Sequence, residues 1–171
     1  ISVRVNTTMI SREKLIQDML EQGMEVIPSP LTSVGILVKS GGNMALTDWY
    51  RDGFLSVQDE SSMLVGEAVG PKPGMRILDC CAAPGGKSVH IAELMKDDGV
   101  VVANDQYPHK EKLIREQADR LGLASIETTV GDALNLGDKY AEASFDRILL
   151  DAPCSGLGVI RRKPDLKWTK T

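Results

Sequence analysis

No apolar run in these 171 residues approaches the length of about eighteen that a helix needs to cross a bilayer. A helical membrane span is therefore excluded, and the expectation is a soluble protein. Cysteine is scarce too. Of the three, Cys80 and Cys81 are neighbours and Cys154 stands far off, so there is neither a disulfide framework nor a C-x-x-C pair for zinc. A reducing, cytoplasmic setting without a metal site is expected. Excess positive charge is also missing: the formal net charge is -4, which argues against a wholly basic nucleic-acid binder. An average hides a local patch, however, because Arg161, Arg162, Lys163, Lys167 and Lys170 crowd the last eleven residues against Asp165 alone. There is no internal repeat, no low-complexity segment and no basic-then-apolar leader; the chain opens at Ile1 without a methionine and reads as an excerpt.

What is present divides into two parts. In the first, Ser2 to Val5 reads as a short strand, and Ser11 can cap a helix whose Leu15, Ile16, Met19 and Leu20 share one face before Gly23 ends it. Val26-Ile27, Gly35 to Lys39 and Phe54 to Val57 read as further short strands separated by turn residues. Residues 1–59 are thus a small α+β lobe. A helix from about Glu60 to Val69 leads into Gly70-Pro71-Lys72-Pro73-Gly74, after which strand and helix alternate. Strands are expected at Arg76 to Asp79, Val100 to Asn104, Ile126 to Val130 and Phe145 to Leu150, with helices at Ser88 to Met95 and Lys110 to Leu121. Such alternation predicts parallel βαβ units and a doubly wound α/β sheet across residues 60–171.

In an open parallel sheet the ligand sits beyond the carboxyl ends of the strands. Each predicted strand has an acid there: Asp79, Asp105, Asp132 and Asp151. Any one of them suits a turn or a helix cap, but aspartate is a poor strand former, and the set shares one sheet edge. Between the first strand and its helix lies Cys80-Cys81-Ala82-Ala83-Pro84-Gly85-Gly86-Lys87-Ser88. Small residues admit a ligand to the backbone, and the helix start offers unpaired N–H groups to an anion. Cys81 stands where a Walker A loop needs its first glycine, and G-x-G-x-x-G is missing, so nucleotide hydrolysis is not expected. Asp105, about twenty residues on, is placed to hold a ribose diol. Loop and acid suit S-adenosyl-L-methionine or NAD; Asp132, able to accept from an adenine amine, favours the methyl donor.

Asp151 and Cys154 flank Pro153 at the end of the fourth strand. These residue types suit methylation at cytosine C5. That carbon is too electron-poor to attack a methyl group, but a thiolate added at C6 makes it nucleophilic, and an acid at N3 stabilises the developing charge. A cysteine alone is equally a small buried hydrophobe.

The stretches D-C-C-A-A-P-G-G-K-S (Asp79 to Ser88) and D-A-P-C-S-G (Asp151 to Gly156) resemble the cofactor-loop and catalytic-strand motifs of the Sun-type RNA cytosine-5 methyltransferases. Val3-Arg4-Val5-Asn6-Thr7, Gln58-Asp59-Glu60-Ser61-Ser62, Arg120-Leu121-Gly122 and Arg162-Lys163-Pro164-Asp165 with Lys167-Trp168 agree with that family, so the resemblance covers nearly the whole chain. It is strongest to the bacterial branch that modifies small-subunit (16S) ribosomal RNA.

The resemblance implies a Rossmann-like class I methyltransferase sheet, incomplete at its C-terminal end, preceded by a small RNA-binding lobe. It further implies that Cys81, Ala82, Ala83, Pro84, Gly85, Gly86 and Lys87 line the S-adenosyl-L-methionine pocket, that Asp105 holds the ribose and Asp132 the adenine end, and that Asp151 faces both donor and target cytosine. Lys110 stands where the family often has a basic residue, and Cys80 is expected to pack beneath the loop. Ribosomal RNA is the implied partner, with phosphate contacts from Arg4, Arg161, Arg162, Lys163 and Lys167. In one respect the chain departs from the family. The P-C cysteine, here Cys154, usually releases the product while the attacking thiol comes from a later T-C motif, which these 171 residues lack. If Cys154 attacks instead, as the P-C cysteine does in DNA cytosine-5 methyltransferases, the chain holds its own nucleophile. The rival expectations are an NAD-dependent oxidoreductase on a similar sheet and a catalytically incomplete binding fragment. A sheet ending near Leu150 would also leave an exposed edge strand.

Overall fold

The computed structural model describes residues 1–140 and 144–151. Among them the strands form two sheets, one antiparallel and one parallel.

The leading sheet contains β1 (Ser2–Val5), β2 (Glu25–Pro28), β3 (Gly35–Ser40) and β4 (Leu55–Val57) in the order β2-β3-β1-β4. Successive side chains of a strand point to opposite faces, and β1 is buried on both. Val3 and Val5 enter a core with Ile36, Leu55 and, from helix α1 (Arg12–Glu21), Leu15 and Met19. Arg4 points the other way, toward the second sheet. The expected cap is present, with Ser11 accepting from the Lys14 amide, and Gly23 follows the helix at φ +81°. A short helix α2 (Asp48–Arg51), capped by Thr47, had no apolar periodicity to announce it.

Helix α3 (Glu60–Ala68) carries the chain to the parallel sheet and packs on helix α4 (Gly86–Leu94). That sheet contains β5 (Arg76–Asp79), β6 (Val100–Asp105), β7 (Ile126–Val130) and β8 (Arg147–Leu149) in the order β7-β6-β5-β8. Helices α4, α5 (Pro108–Leu121) and α6 (Leu136–Lys139) alternate with the strands. The expected α/β alternation is therefore present. Ile77, Val89, Ile91, Met95, Val101 and Leu121 build its main core. From β5 the chain steps outward to β6 and β7, then returns to place β8 on the other side of β5. Strand order reverses at β5, and the crevice for a ligand is expected above that point.

Some bounds differ from the sequence expectation. Helix α4 starts at Gly86 rather than Ser88, because Gly85 takes a left-handed conformation and opens the helix itself. Helix α5 starts at Pro108 rather than Lys110; proline's fixed φ and missing N–H suit a first helical turn. The last strand contracts to Arg147–Leu149, the outer strand among the described residues, with Ile148 on it and Leu150 just beyond it exposed. No helix among them is long and apolar enough to cross a membrane.

Candidate functional site

The parallel register aligns Asp79 with Ala103 and with Leu149, so the carboxyl ends of β5, β6 and β8 form one rim. Asp79 is buried at the end of β5, where its Oδ2 accepts from the Ser88 hydroxyl at 2.7 Å. Its Oδ1 has no hydrogen-bond partner among the described residues. Burial pushes this carboxyl above the usual range, against the pull of the Ser88 bond.

The loop after β5 turns into α4 at Gly85, whose φ of +106° is a conformation that glycine adopts without strain. A Cβ there would stand 3.2 Å from the Ile114 Cα, so α5 presses on the loop. The first-turn amides of α4 have no intrahelical partners, and the helix end is partially positive. Lys87 adds a full charge in that turn and pairs with Asp151, Nζ to Oδ2 at 2.6 Å.

Asp105 ends β6 and reaches back to the loop. Its Oδ2 accepts from the Ala83 amide at 3.3 Å and its Oδ1 from the Tyr107 amide at 3.2 Å. Asp132 is exposed and caps a short turn through the Leu134 amide at 2.9 Å. Asp151 is exposed two residues beyond β8. All four carboxylates act on Cys81: burial raises its thiol first, and the charges of Asp79, Asp105, Asp151 and Asp132 raise it further. Cys81 is thus a poor nucleophile but a good marker of where the acids converge. Cys80 is buried against Leu78, Val102 and Leu136 beneath the loop, as expected. Lys110 lies over the Tyr107 ring at 5.1 Å.

Asn104 was not anticipated. Its Nδ2 donates to the carbonyls of Cys80 at 3.0 Å and Gly131 at 2.9 Å, while its backbone carbonyl accepts from the Ala82 amide at 2.7 Å. One buried side chain thus ties β6 to the loops after β5 and β7. A polar residue inside the apolar strand Val100 to Asp105 was the available signal.

The assignment of Arg4 to RNA is corrected. Arg4 has no exposed surface and is held in an ion pair with Glu93 at 2.9 Å, so it cannot meet a phosphate on the protein surface. Cys154, Arg161, Arg162, Lys163 and Lys167 lie outside the described residues. Among the described residues, no group of three or more His, Cys, Asp or Glu is arranged to hold a metal ion.

The sequence profile of the family described as 16S rRNA methyltransferase RsmB/F matches residues 67–171. A Bacillus subtilis (strain 168) protein named "Probable ribosomal RNA small subunit methyltransferase B" is 50% identical over 169 residues, which are 99% of this chain and 38% of that protein. The "26S rRNA (cytosine-C(5))-methyltransferase nsun-1" of Caenorhabditis elegans is 40% identical over 176 residues, covering 99% of this chain and 26% of that protein. The solved structure of a methyltransferase homolog from Pyrococcus horikoshii superposes with a TM-score of 0.85 at 34% identity, over 94% of this chain and 52% of that one. The chain thus spans well under half the length of these curated relatives.

Proposed function

The chain belongs to the 16S rRNA methyltransferase RsmB/F family, and from that premise we propose that the protein carrying it transfers a methyl group from S-adenosyl-L-methionine to C5 of a cytosine in small-subunit ribosomal RNA. The observation that carries this reading is that three strand-end acids bond the loop and first turn of α4: Asp79 accepts from Ser88, Asp105 from the Ala83 amide, and Asp151 pairs with Lys87. S-adenosyl-L-methionine bears an ammonium, a carboxylate, a ribose diol and an adenine, and this rim offers a group for each. The unpartnered, buried Oδ1 of Asp79 suits the ammonium, and the first turn of α4 suits the carboxylate. Asp105 suits the diol and Asp132 the adenine amine, with Cys81, Ala82, Ala83, Pro84, Gly85, Gly86 and Lys87 forming the wall. When bound, the cofactor supplies an electrophilic methyl group.

The residues of this chain then orient and activate the base. A cysteine thiolate adds to C6 and pushes an electron pair to C5, which takes the methyl group. Loss of the C5 proton to a base expels the thiolate and restores the ring. Asp151, at the rim beside Lys87, faces the target, and with a proton on its carboxyl it donates a hydrogen bond to N3 as negative charge develops there. Cys154 acts in release, and the attacking thiol belongs to a T-C motif that these 171 residues do not contain. Arg161, Arg162, Lys163 and Lys167 hold RNA phosphates, and the leading sheet forms the facing wall of the groove, with the base swung out of its stack.

Calorimetric titration with S-adenosylhomocysteine and with NAD tests the cofactor, and binding of NAD instead would return the oxidoreductase reading. Incubation of the full protein with labelled donor and small-subunit RNA, followed by nucleoside analysis, tests the product. The expected product is 5-methylcytidine; label on another position or none on RNA defeats the proposal.

A further inference from the structure

Several motifs that carry the family resemblance are spent neither on the cofactor nor on the base: Val3-Arg4-Val5-Asn6, Gln58, and Arg120-Leu121-Gly122. They meet at the seam between the two sheets. Arg4 Nε and Nη2 grip the two carboxylate oxygens of Glu93 at 3.1 and 2.9 Å. Its Nη1 donates to Gln58 Oε1 at 2.6 Å and to the Gly86 carbonyl at 3.0 Å, and Nη2 also reaches the Ser56 hydroxyl at 3.3 Å. A guanidinium has five N–H donors, and all of them have acceptors here.

From the opposite side, Arg120 of α5 donates to the Tyr50 and Leu55 carbonyls and to the same Ser56 hydroxyl, each at 2.8 Å. Its guanidinium lies over the Tyr50 ring at 3.8 Å. Asn6 Nδ2 donates to the carbonyls of Gly53 at 3.0 Å and Leu121 at 3.1 Å. The backbones approach so closely that a Cβ on Gly53 would fall 2.4 Å from the Arg120 carbonyl oxygen. Arg4 of β1 thus reaches α4, Arg120 of α5 reaches back to the leading sheet, and the two share Ser56.

Two of Arg4's acceptors stand at opposite ends of α4: Gly86 is its first residue, and Glu93 lies in its last turn. Apolar packing is non-directional and does not by itself set a helix along its axis. A bidentate ion pair at one end and a carbonyl contact at the other do set it, since shifting the helix would strand a buried charge. The start of α4 is where the proposed cofactor's carboxylate sits. We infer that Arg4 is a positioning residue of the cofactor site, by which the leading sheet holds the first turn of α4 in its binding register. This inference rests on the methyltransferase reading above.

Calorimetric titration of the full protein with S-adenosylhomocysteine, with the melting temperature read in parallel, tests it. Arg4→Lys keeps a charge beside Glu93 but lacks the fork that also reaches Gly86 and Gln58, and affinity is expected to fall roughly tenfold. Leu15→Ala, which destabilises the core of the leading sheet away from α4, is expected to leave affinity within about twofold of the parent. Equal affinities for parent and Arg4→Lys, or equal losses in the two variants, overturn the inference. If Arg4→Lys does not fold, Gln58→Ala decides instead. A roughly threefold weaker affinity with near-parent melting supports the inference, and unchanged affinity overturns it. A parent that binds no S-adenosylhomocysteine removes the methyltransferase reading and this inference together; a binding parent with unaffected variants removes this inference alone.

Discussion

Lys87 Nζ stands 2.6 Å from Asp151 Oδ2, joining the first turn of α4 to the end of β8 across the point where strand order reverses. Both side chains are partly exposed, so the pair contributes only about 0–1 kcal/mol to stability. Its value lies in holding the carboxylate at the rim. Asp151→Asn in the full protein is expected to lower methyl transfer by about a hundredfold or more while the urea midpoint hardly moves. Single-turnover rates and urea melts on the same preparations check this. A variant as fast as the parent would remove Asp151 from the chemistry.

Asp105 is buried where β6 ends and already orders the loop through the Ala83 amide. A ribose diol would add charge-assisted hydrogen bonds. Asp105→Asn keeps the shape but weakens those bonds, and the dissociation constant for S-adenosylhomocysteine is expected to rise about ten- to a hundredfold. Titration calorimetry measures it, and an unchanged constant contradicts the ribose assignment.

His90 offers a pH test of the seam. It is buried on α4 beside Gly66, and both of its ring nitrogens are without hydrogen-bond partners among the described residues. Burial, with help from the Arg4 charge, lowers its pKa from 6.5 to about 2. The unfolded chain takes up this proton below the ordinary value, and the folded chain does not. Stability from this group is therefore complete above that value and lost as pH falls toward the folded one. Between about pH 7 and pH 5 the loss is about 2 kcal/mol. Urea melts of parent and His90→Leu at both values should differ in slope with pH by roughly that amount; parallel curves would refute a neutral buried histidine.

Gly85 and Gly122 both have positive φ, +106° and +69°, but only Gly85 is crowded, with a Cβ meeting the Ile114 Cα at 3.2 Å while Gly122 has open space. Gly122→Ala is expected to cost about 1 kcal/mol from backbone strain alone. Gly85→Ala should cost more, about 2 kcal/mol or above, and should also weaken cofactor binding because α5 cannot retreat from the loop. Equal destabilisation of the two variants would show that the contact with Ile114 is not felt.

Neutralising Arg161 and Arg162 together in the full protein is expected to weaken RNA binding and to reduce the slope of log affinity against log salt by about one to two. Cofactor affinity should stay as it was. Identical salt slopes in variant and parent would exclude phosphate contacts by this pair.

Much of this arrangement is legible along the chain because its causes are local. Alternating apolar runs and helix faces announce the parallel sheet, and the Ser11 cap lies within a turn of the amide it accepts from. Asp79 and Asp105 take positions at strand ends because a carboxylate suits neither a strand interior nor an apolar core. The short helices Asp48–Arg51 and Leu136–Lys139 were not legible, since four residues carry no period. Sequence alone thus determined the order of the strands and longer helices, the acids at the strand ends and the loop between β5 and α4. The fate of Arg4 was decided only in three dimensions. Read in its own stretch it is a surface cation, yet it is buried because Glu93, 89 residues away, arrives beside it. Whether a charge can leave water depends on a counter-charge and acceptors brought from distant segments, and no local window contains them.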